Sequence, residues 1–460
     1  MTRHRGLLAL LGLSACLGDD RGASKDDDWQ CGVGRGGLDT GGDVHTGVQD
    51  SGDSGDSGDS GDSGDPPAEL TATVFTFHDS SGRADFAGDI DGNGVPDVVF
   101  GVDVFDADHF VAIFGADTEG TVDLSDAPIR ITADDRRSRL AQGAGDLDAD
   151  GYDDLLVGGF DDLRTAVVLL AGPLTGTVAL DGPEVGRASG GVLRSAAVGD
   201  VSGDGMADLL LGEGRAAGNA AFVVLGPVTG DRSLPSTTPA ISPASNGIQA
   251  IAPAGDVNGD GVGDIVVGRA DLDYGGAYVF FGPLDGGALD PVRADIEVRT
   301  VTNGGGLGQA VVGAGDLDAD GLDDVVVAAP HHDNLGRLAV VRGTGVVLFD
   351  ELTDSAAGLQ VGGKAGGAMA AMGDVDSDGH ADLAVAIPNL HFEAGRSRAG
   401  AVFLLHGPIS GASVIEDSRS WESPTEHIEV GTHLAAVPGE GLLVGTNGSD
   451  VEAGFLVRGW

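Results

Sequence analysis

Twelve residues decide the fold: Asp146-Leu-Asp-Ala-Asp-Gly-Tyr-Asp-Asp154-Leu-Leu-Val157. Acidic side chains stand at positions 1, 3 and 5, a glycine at 6, an Asp at 9, and an apolar run follows. When such a loop curls about one centre, the oxygens at 1, 3 and 5 converge. Gly at 6 allows the sharp turn, residue 7 offers its backbone carbonyl, and Asp at 9 closes the cage. Hard oxygen ligands in this number suit Ca²⁺, whose geometry is forgiving. Magnesium asks for a tighter octahedron, and softer metals want His or Cys.

The pattern recurs six times. The candidate ligands are Asp89, Asp91, Asn93, Val95 and Asp97 in the first loop, and Asp146, Asp148, Asp150, Tyr152 and Asp154 in the second. The third offers Asp200, Ser202, Asp204, Met206 and Asp208, and the fourth Asp256, Asn258, Asp260, Val262 and Asp264. The fifth offers Asp316, Asp318, Asp320, Leu322 and Asp324, and the sixth Asp374, Asp376, Asp378, His380 and Asp382. Up to six Ca²⁺ are expected. Binding should be weaker in the third loop, which has Ser202 for a carboxylate, and in the first and fourth, which carry Asn93 and Asn258. An EF-hand would need twelve positions ending in Glu, between helices. Position 12 here is Val157 or Val327, within a β-rich run. The alternative is a set of Asp-rich turns without ions, since Asp and Gly favour turns anyway.

The loops start 54 to 60 residues apart. Each is followed by an apolar run such as Ile265-Val-Val267, then by a second such as Tyr278-Val-Phe-Phe281. Near the end, Leu434-Ala-Ala-Val437, Leu442-Leu-Val444 and Phe455-Leu-Val457 repeat the unit without its loop. A period of this size signals radial or linear arrays, and short strands between Gly-rich turns favour an all-β answer. The expectation is a seven-bladed β-propeller over 69–460, six blades with calcium loops and one degenerate. Leu70-Thr-Ala-Thr-Val-Phe-Thr-Phe77 has no unit of its own. It is expected to supply the missing outer strand of the last blade, closing the ring and removing an exposed edge. An open β-solenoid would leave that strand unexplained.

Composition agrees. Of 73 acidic residues 60 are Asp, and 81 residues are Gly, both poor helix formers. The net charge of −48 excludes nucleic acid and anionic membrane surfaces as partners. Six Ca²⁺ would leave about −36, still strongly acidic. Two cysteines exclude a disulfide scaffold and a Cys-based zinc site.

Arg3 and Arg5, then Gly6-Leu-Leu-Ala-Leu-Leu-Gly-Leu13, read as a secretory signal over 1–15. Leu13-Ser-Ala-Cys16 resembles a bacterial lipoprotein signal, which implies cleavage before Cys16 and its lipidation. The alternative is an ordinary cleaved signal, with Cys16 free or paired to Cys31. Residues 16–68 include five Ser-Gly-Asp repeats over 51–65. They read as a disordered acidic stalk. These repeats could also hold calcium, at a large entropic cost.

The units resemble FG-GAP repeats, the blades of the integrin alpha-chain propeller. The likeness rests on the acidic loops, the apolar strand after them (with Ala329-Pro330 and Ile387-Pro388) and closing strands such as Gly276-Ala-Tyr-Val-Phe-Phe281. The leading Phe-Gly is mostly lost, Leu307-Gly308 being nearest. The resemblance implies Ca²⁺ in the loops joining first and second strands, on one face, and partners docking on the other. Residues expected on that other face are Phe160, Arg164, Arg269, Tyr274, His331, His332, His391 and Phe392. The aromatics could stack on a sugar or pack at the rim, and the histidines read first as solvated loop residues.

Two function classes remain. One is a non-enzymatic, calcium-stabilised adhesion-type lipoprotein, secreted and anchored through lipid at a bacterial envelope, holding a protein or glycan. The other is a hydrolase or lyase acting on polysaccharides. No Gly-x-Ser-x-Gly elbow is present, though the many Asp residues could hide a catalytic carboxylate pair.

Overall fold

The computed structural model describes residues 70–76, 83–102, 110–132, 137–161, 164–180, 186–189, 192–213, 220–229, 232–233, 248–269, 275–300, 305–332, 336–342, 345–348, 358–360, 366–388, 400–409, 419–422, 430–437, 439–446 and 452–460. The signal, Cys16, the 16–68 stalk, Tyr274, His391 and Phe392 lie outside them.

Seven sheets, each built on antiparallel strands, form seven blades. Blade one runs Arg83–Gly88, Asp97–Val102, Phe110–Gly115 and Ile129–Thr132 from first to outer strand. Blades two to six begin at Arg137, Val192, Ala250, Ala310 and Met369. The first strand of each blade lies against the first strands of both neighbours, and the series closes on itself. The last blade, His433–Val437, Gly441–Gly445 and Glu452–Arg458, takes Thr71–Thr76 as its outer strand, antiparallel to Glu452–Arg458. The seven-bladed ring and its closure by the N-terminal strand are as the sequence predicts.

The apolar runs are continuous because each blade is sandwiched between two others. Along Asp97–Val102 every residue is buried. Val98, Phe100 and Val102 face the last blade, while Val99 faces the second, the period of two that a strand imposes. Phe75 of the closing strand is fully buried, 4.5 Å from the ring of Phe100 and 5.5 Å from that of Phe114. At the other side of the last blade Trp421 packs 4.9 Å from Phe455.

One feature was not legible in the sequence. Among the described residues, the chain after the third strand of four blades lays a short strand parallel to the outer strand of the preceding blade. Thr121–Asp123 joins Thr71–Thr76, Thr177–Ala179 joins Ile129–Thr132, Arg232–Ser233 joins Gly186–Ser189, and Gly345–Leu348 joins Ile296–Arg299. These two to four residues are too short to show alternation.

Candidate metal centres

All six acidic loops connect a first strand to a second. Each begins after a glycine of positive φ: Gly88, Gly145, Gly199, Gly255, Gly315 and Gly373. There the ladder slips by one residue, as between Phe86 and Gly88. That slip lifts the next residue, Asp at position 1, out of the sheet. The glycine at position 6 has φ between 86° and 94° in every loop, a conformation other residues rarely adopt.

The carboxylates are held by backbone amides. In the second loop Asp146 accepts from Asp150 N (3.0 Å) and Gly151 N (2.9 Å), Asp148 from Asp150 N (3.2 Å), and Asp150 from Tyr152 N (3.0 Å). Position 1 makes the same pair of bonds in the other five loops. The chain therefore curls through its own Asx turns. Each oxygen so used keeps a second lone pair for a cation.

The ninth-position Asp is the buried anchor. Asp154 Oδ2 accepts from Leu147 N at 2.9 Å and Oδ1 from Gly172 N at 3.1 Å. Asp208, Asp264 and Asp382 do the same with Gly226, Gly282 and Gly407. Burial pushes Asp97, Asp154, Asp264 and Asp324 up to about 6. Amide bonds oppose that shift in all four, and Arg342 opposes it at Asp324. Asp200 moves the other way: desolvation raises it, but the amides of Gly205, Gly203 and Asp204 and the Ser202 hydroxyl hold it below the usual range.

Ligand atoms within 4.8 Å of one another are brought together in Asp89, Asp91 and Asp97, in Asp146, Asp148 and Asp154, in Asp316, Asp318 and Asp320, and in Asp374, Asp376 and Asp378. The third and fourth loops satisfy their position 3 internally. Ser202 Oγ donates to Asp200 (3.3 Å), and Asn258 Nδ2 donates to Asp260 (3.1 Å). Asp318 Oδ1 is buried with no hydrogen-bond partner, an acceptor that a cation would satisfy.

Neighbouring loops are tied to each other. Asp153 of the second loop accepts from Asp89 N of the first at 2.7 Å, and Asp323 of the fifth accepts from Asp256 N of the fourth at 2.7 Å. A Cβ on Gly88 or Gly255 would fall within 2.3 Å of these carboxylates. The residue at position 2, fully or almost fully buried in the first five loops, accepts from the next blade in four of them, as Leu147 O does from Val228 N (2.7 Å).

Sequence reasoning missed one position entirely. The residue just beyond the third-strand partner of position 10 stands beside the ninth-position Asp. By ladder register it is Gly115, Ala171, Leu225, Phe281, Arg342, His406 and, in the last blade, Arg458. Arg342 Nε lies 2.8 Å from Asp318 Oδ2 and 3.1 Å from Asp324 Oδ1, and Nη2 donates to Ile409 O of the next blade at 3.0 Å. His406 Nδ1 lies 3.1 Å from Asp376 Oδ2 and 3.4 Å from Asp382 Oδ1. Arg458, in the blade without an acidic loop, meets Glu440 at 3.4 Å. It donates to Thr73 Oγ1 at 2.8 Å, to Thr118 O at 3.0 Å and to Ala116 O. The signal was weak, because no shared residue type marks the position.

The expected partner face is only partly in view. Phe160 and Arg164 stand in strands rather than in a loop: the second blade's strands run to Asp161 and restart at Arg164, and those two residues pair. Arg269 ends the second strand of blade four and lies over its own Tyr278 ring, 5.7 Å from the centroid. This is a contact within the blade. His331 is exposed and His332 half-buried, in the turn after Asp324–Ala329.

Family models and curated relatives match parts of this chain. Residues 316–385 match the FG-GAP-like repeat and residues 366–405 the FG-GAP repeat. The chain carries FG-GAP repeats and folds as a seven-bladed β-propeller. It is 33 % identical over 103 residues to integrin alpha-5 of Xenopus laevis, covering 20 % of this chain and 9 % of that protein. It is 26 % identical over 193 residues to integrin alpha pat-2 of Caenorhabditis elegans, covering 38 % of this chain and 14 % of that protein. The matched segments thus span a small part of these relatives. Among solved structures, the WD40 domain of Toxoplasma gondii coronin superposes with a TM-score of 0.47 at 11 % identity, over 85 % of this chain and 87 % of that one. Among the described residues no helix is long and apolar enough to cross a membrane.

Proposed function

We propose that this chain is a calcium-stabilised binding protein of the cell surface, whose ring presents the face opposite the acidic loops to a protein or glycan. The observation that carries it is the set of six loops curled by the same backbone bonds, four of which gather their carboxylates, in a chain with FG-GAP repeats and sequence similarity to integrin alpha chains. The donor set fits Ca²⁺: side-chain oxygens at positions 1, 3, 5 and 9 and a carbonyl at 7. The ion would supply positive charge where carboxylates crowd, cross-linking the start of the loop to the start of the second strand. The chain's own residues orient the ligands: amides hold positions 1, 3 and 5, and the anchored ninth Asp fixes the loop to the blade. The role is binding rather than catalysis, and a lipid at Cys16 with the acidic stalk would hold the ring off a membrane.

The test has two stages. Calcium bound by the full chain is counted after dialysis, with thermal melts in EDTA and in Ca²⁺. Glycan arrays and surface pull-downs are then run in both conditions. Several ions per chain and a ligand retained only in Ca²⁺ support the reading. An absence of bound ions removes its chemistry, and turnover of a polysaccharide would replace it with the enzyme.

A further inference from the structure

The sixth acidic loop differs from the other five in receiving an imidazole. His406 follows Leu405 at the end of the third strand, where the other loops face Gly115, Ala171, Leu225, Phe281 or Arg342. Its Nδ1 and oxygens of Asp376 and Asp382 all lie within 4.8 Å of one another. The Nδ1 atom is buried, although the side chain is 33 % exposed, and it has no hydrogen-bond partner. The carboxylate oxygens at 3.1 and 3.4 Å are therefore close but off the line a hydrogen bond requires.

Donors that share a cation stand in this way. With metal–ligand bonds of about 2.1 Å, neighbouring ligand atoms are about 3.0 Å apart on an octahedron and about 3.4 Å apart on a tetrahedron. The carboxylates are aimed by bonds made elsewhere. Asp382 accepts from Val375 N (2.8 Å) and Gly407 N (3.0 Å), and Asp376 Oδ1 accepts from Asp378 N (3.1 Å), leaving Oδ2 toward the imidazole. Such supporting bonds orient metal ligands. Asp376 is 42 % exposed, which leaves a side open to water and to ion entry. The same loop carries His380 at position 7, whose Nδ1 is likewise buried and without a partner.

A nitrogen among the donors is foreign to Ca²⁺, which takes oxygen, and suits zinc, cobalt, nickel or manganese. We propose that the sixth loop is a mixed nitrogen–oxygen site for a divalent first-row transition cation, held by Asp376, Asp382 and His406. This deepens the cation-loop reading for one blade and does not depend on calcium in the others.

The full chain, saturated with Ca²⁺, is titrated with Co²⁺ and followed by visible absorption, with Zn²⁺ as competitor. The wild type is expected to bind one Co²⁺ that His406→Ala binds at least about tenfold more weakly. Ala171 and Phe281 occupy the equivalent place in other blades, so His406→Ala and His406→Phe both suit the fold. Equal Co²⁺ binding by all three proteins overturns the proposal, as does displacement of Co²⁺ by Ca²⁺ at the same midpoint in each. Calcium counted on the same samples separates the readings: calcium without the cobalt difference removes only the mixed site. The cobalt difference without calcium removes only the calcium reading.

Discussion

Replacing Arg342 with Ala tests how the fifth loop is balanced. The guanidinium touches Asp318 at 2.8 Å and Asp324 at 3.1 Å, and the Asp324 side chain is only 4 % exposed. Removing one partner of a buried pair costs about 3–5 kcal/mol, because the other charge stays buried. Arg342 itself is 27 % exposed, so the lower end applies, about 3 kcal/mol at pH 7 without metal. Asp324 can escape by taking up a proton. Burial already pushes it up to about 6 with Arg342 opposing, and without the arginine it rises further. A carboxyl raised in the folded state has its penalty fully developed above its folded pKa and absent well below it. The loss should therefore shrink to about 1 kcal/mol at pH 5, where folded Asp324 is protonated. Calcium changes the balance again, because the freed oxygens of Asp318 and Asp324 become ligands. The variant should then be stabilised by Ca²⁺ more than the wild type. Urea melts at pH 5 and 7, each in EDTA and in Ca²⁺, measure all four quantities. A loss of stability equal in all four conditions would refute the reasoning and reduce Arg342 to a packing residue.

Other outcomes follow from the same geometry. With dissociation constants of about 10⁻⁴ to 10⁻³ M, each calcium site adds roughly 0.4–1.4 kcal/mol at 1 mM ion, so several sites should raise Tm visibly over EDTA. In EDTA, Asp97, Asp154 and Asp264 should each withdraw up to about 3 kcal/mol as pH rises from about 3 to 7, since their folded pKa lies at about 6 against 3.8. Melts across that range should show stability falling toward neutrality, and calcium titrations should show affinity falling in acid. Phe75→Ala should cost about 3–5 kcal/mol and increase proteolysis of the last blade, read by limited digestion. Ala149 and Ala319 hold positive φ at position 4, where three other loops have glycine, so Ala149→Gly or Ala319→Gly should stabilise by about 1 kcal/mol in melts.

The ring was legible because its punctuation is repeated. Six loops fixed the period, and 70–77, an apolar stretch without a unit of its own, marked the closure that Thr71–Thr76 makes. The convergence of the loop oxygens was legible too, since loop geometry is local. Arg342 and His406 were not, because each sits 18 to 24 residues beyond its loop's last Asp and meets it only through strand pairing. Asp153 and Asp323 were hidden for a related reason. They lie next to a ninth-position Asp in sequence, yet serve the preceding blade's loop. The doubled Asp-Asp was the one visible sign.

The closing strand also governs how the molecule can be made. Arg458 and Thr73, which meet across the seam, are 385 residues apart along the chain. The entropy lost in closing so long a loop grows only logarithmically, so closure is slow rather than prohibitively costly. Until Phe455 and Leu456 have been synthesised, Thr71–Thr76 has no antiparallel partner and Phe75 no last blade to cover it. A shortened product therefore displays an open strand edge and leaves the last-blade side of the Phe75 ring uncovered. Both are what chaperones and proteases read, so this fold reports its own completion.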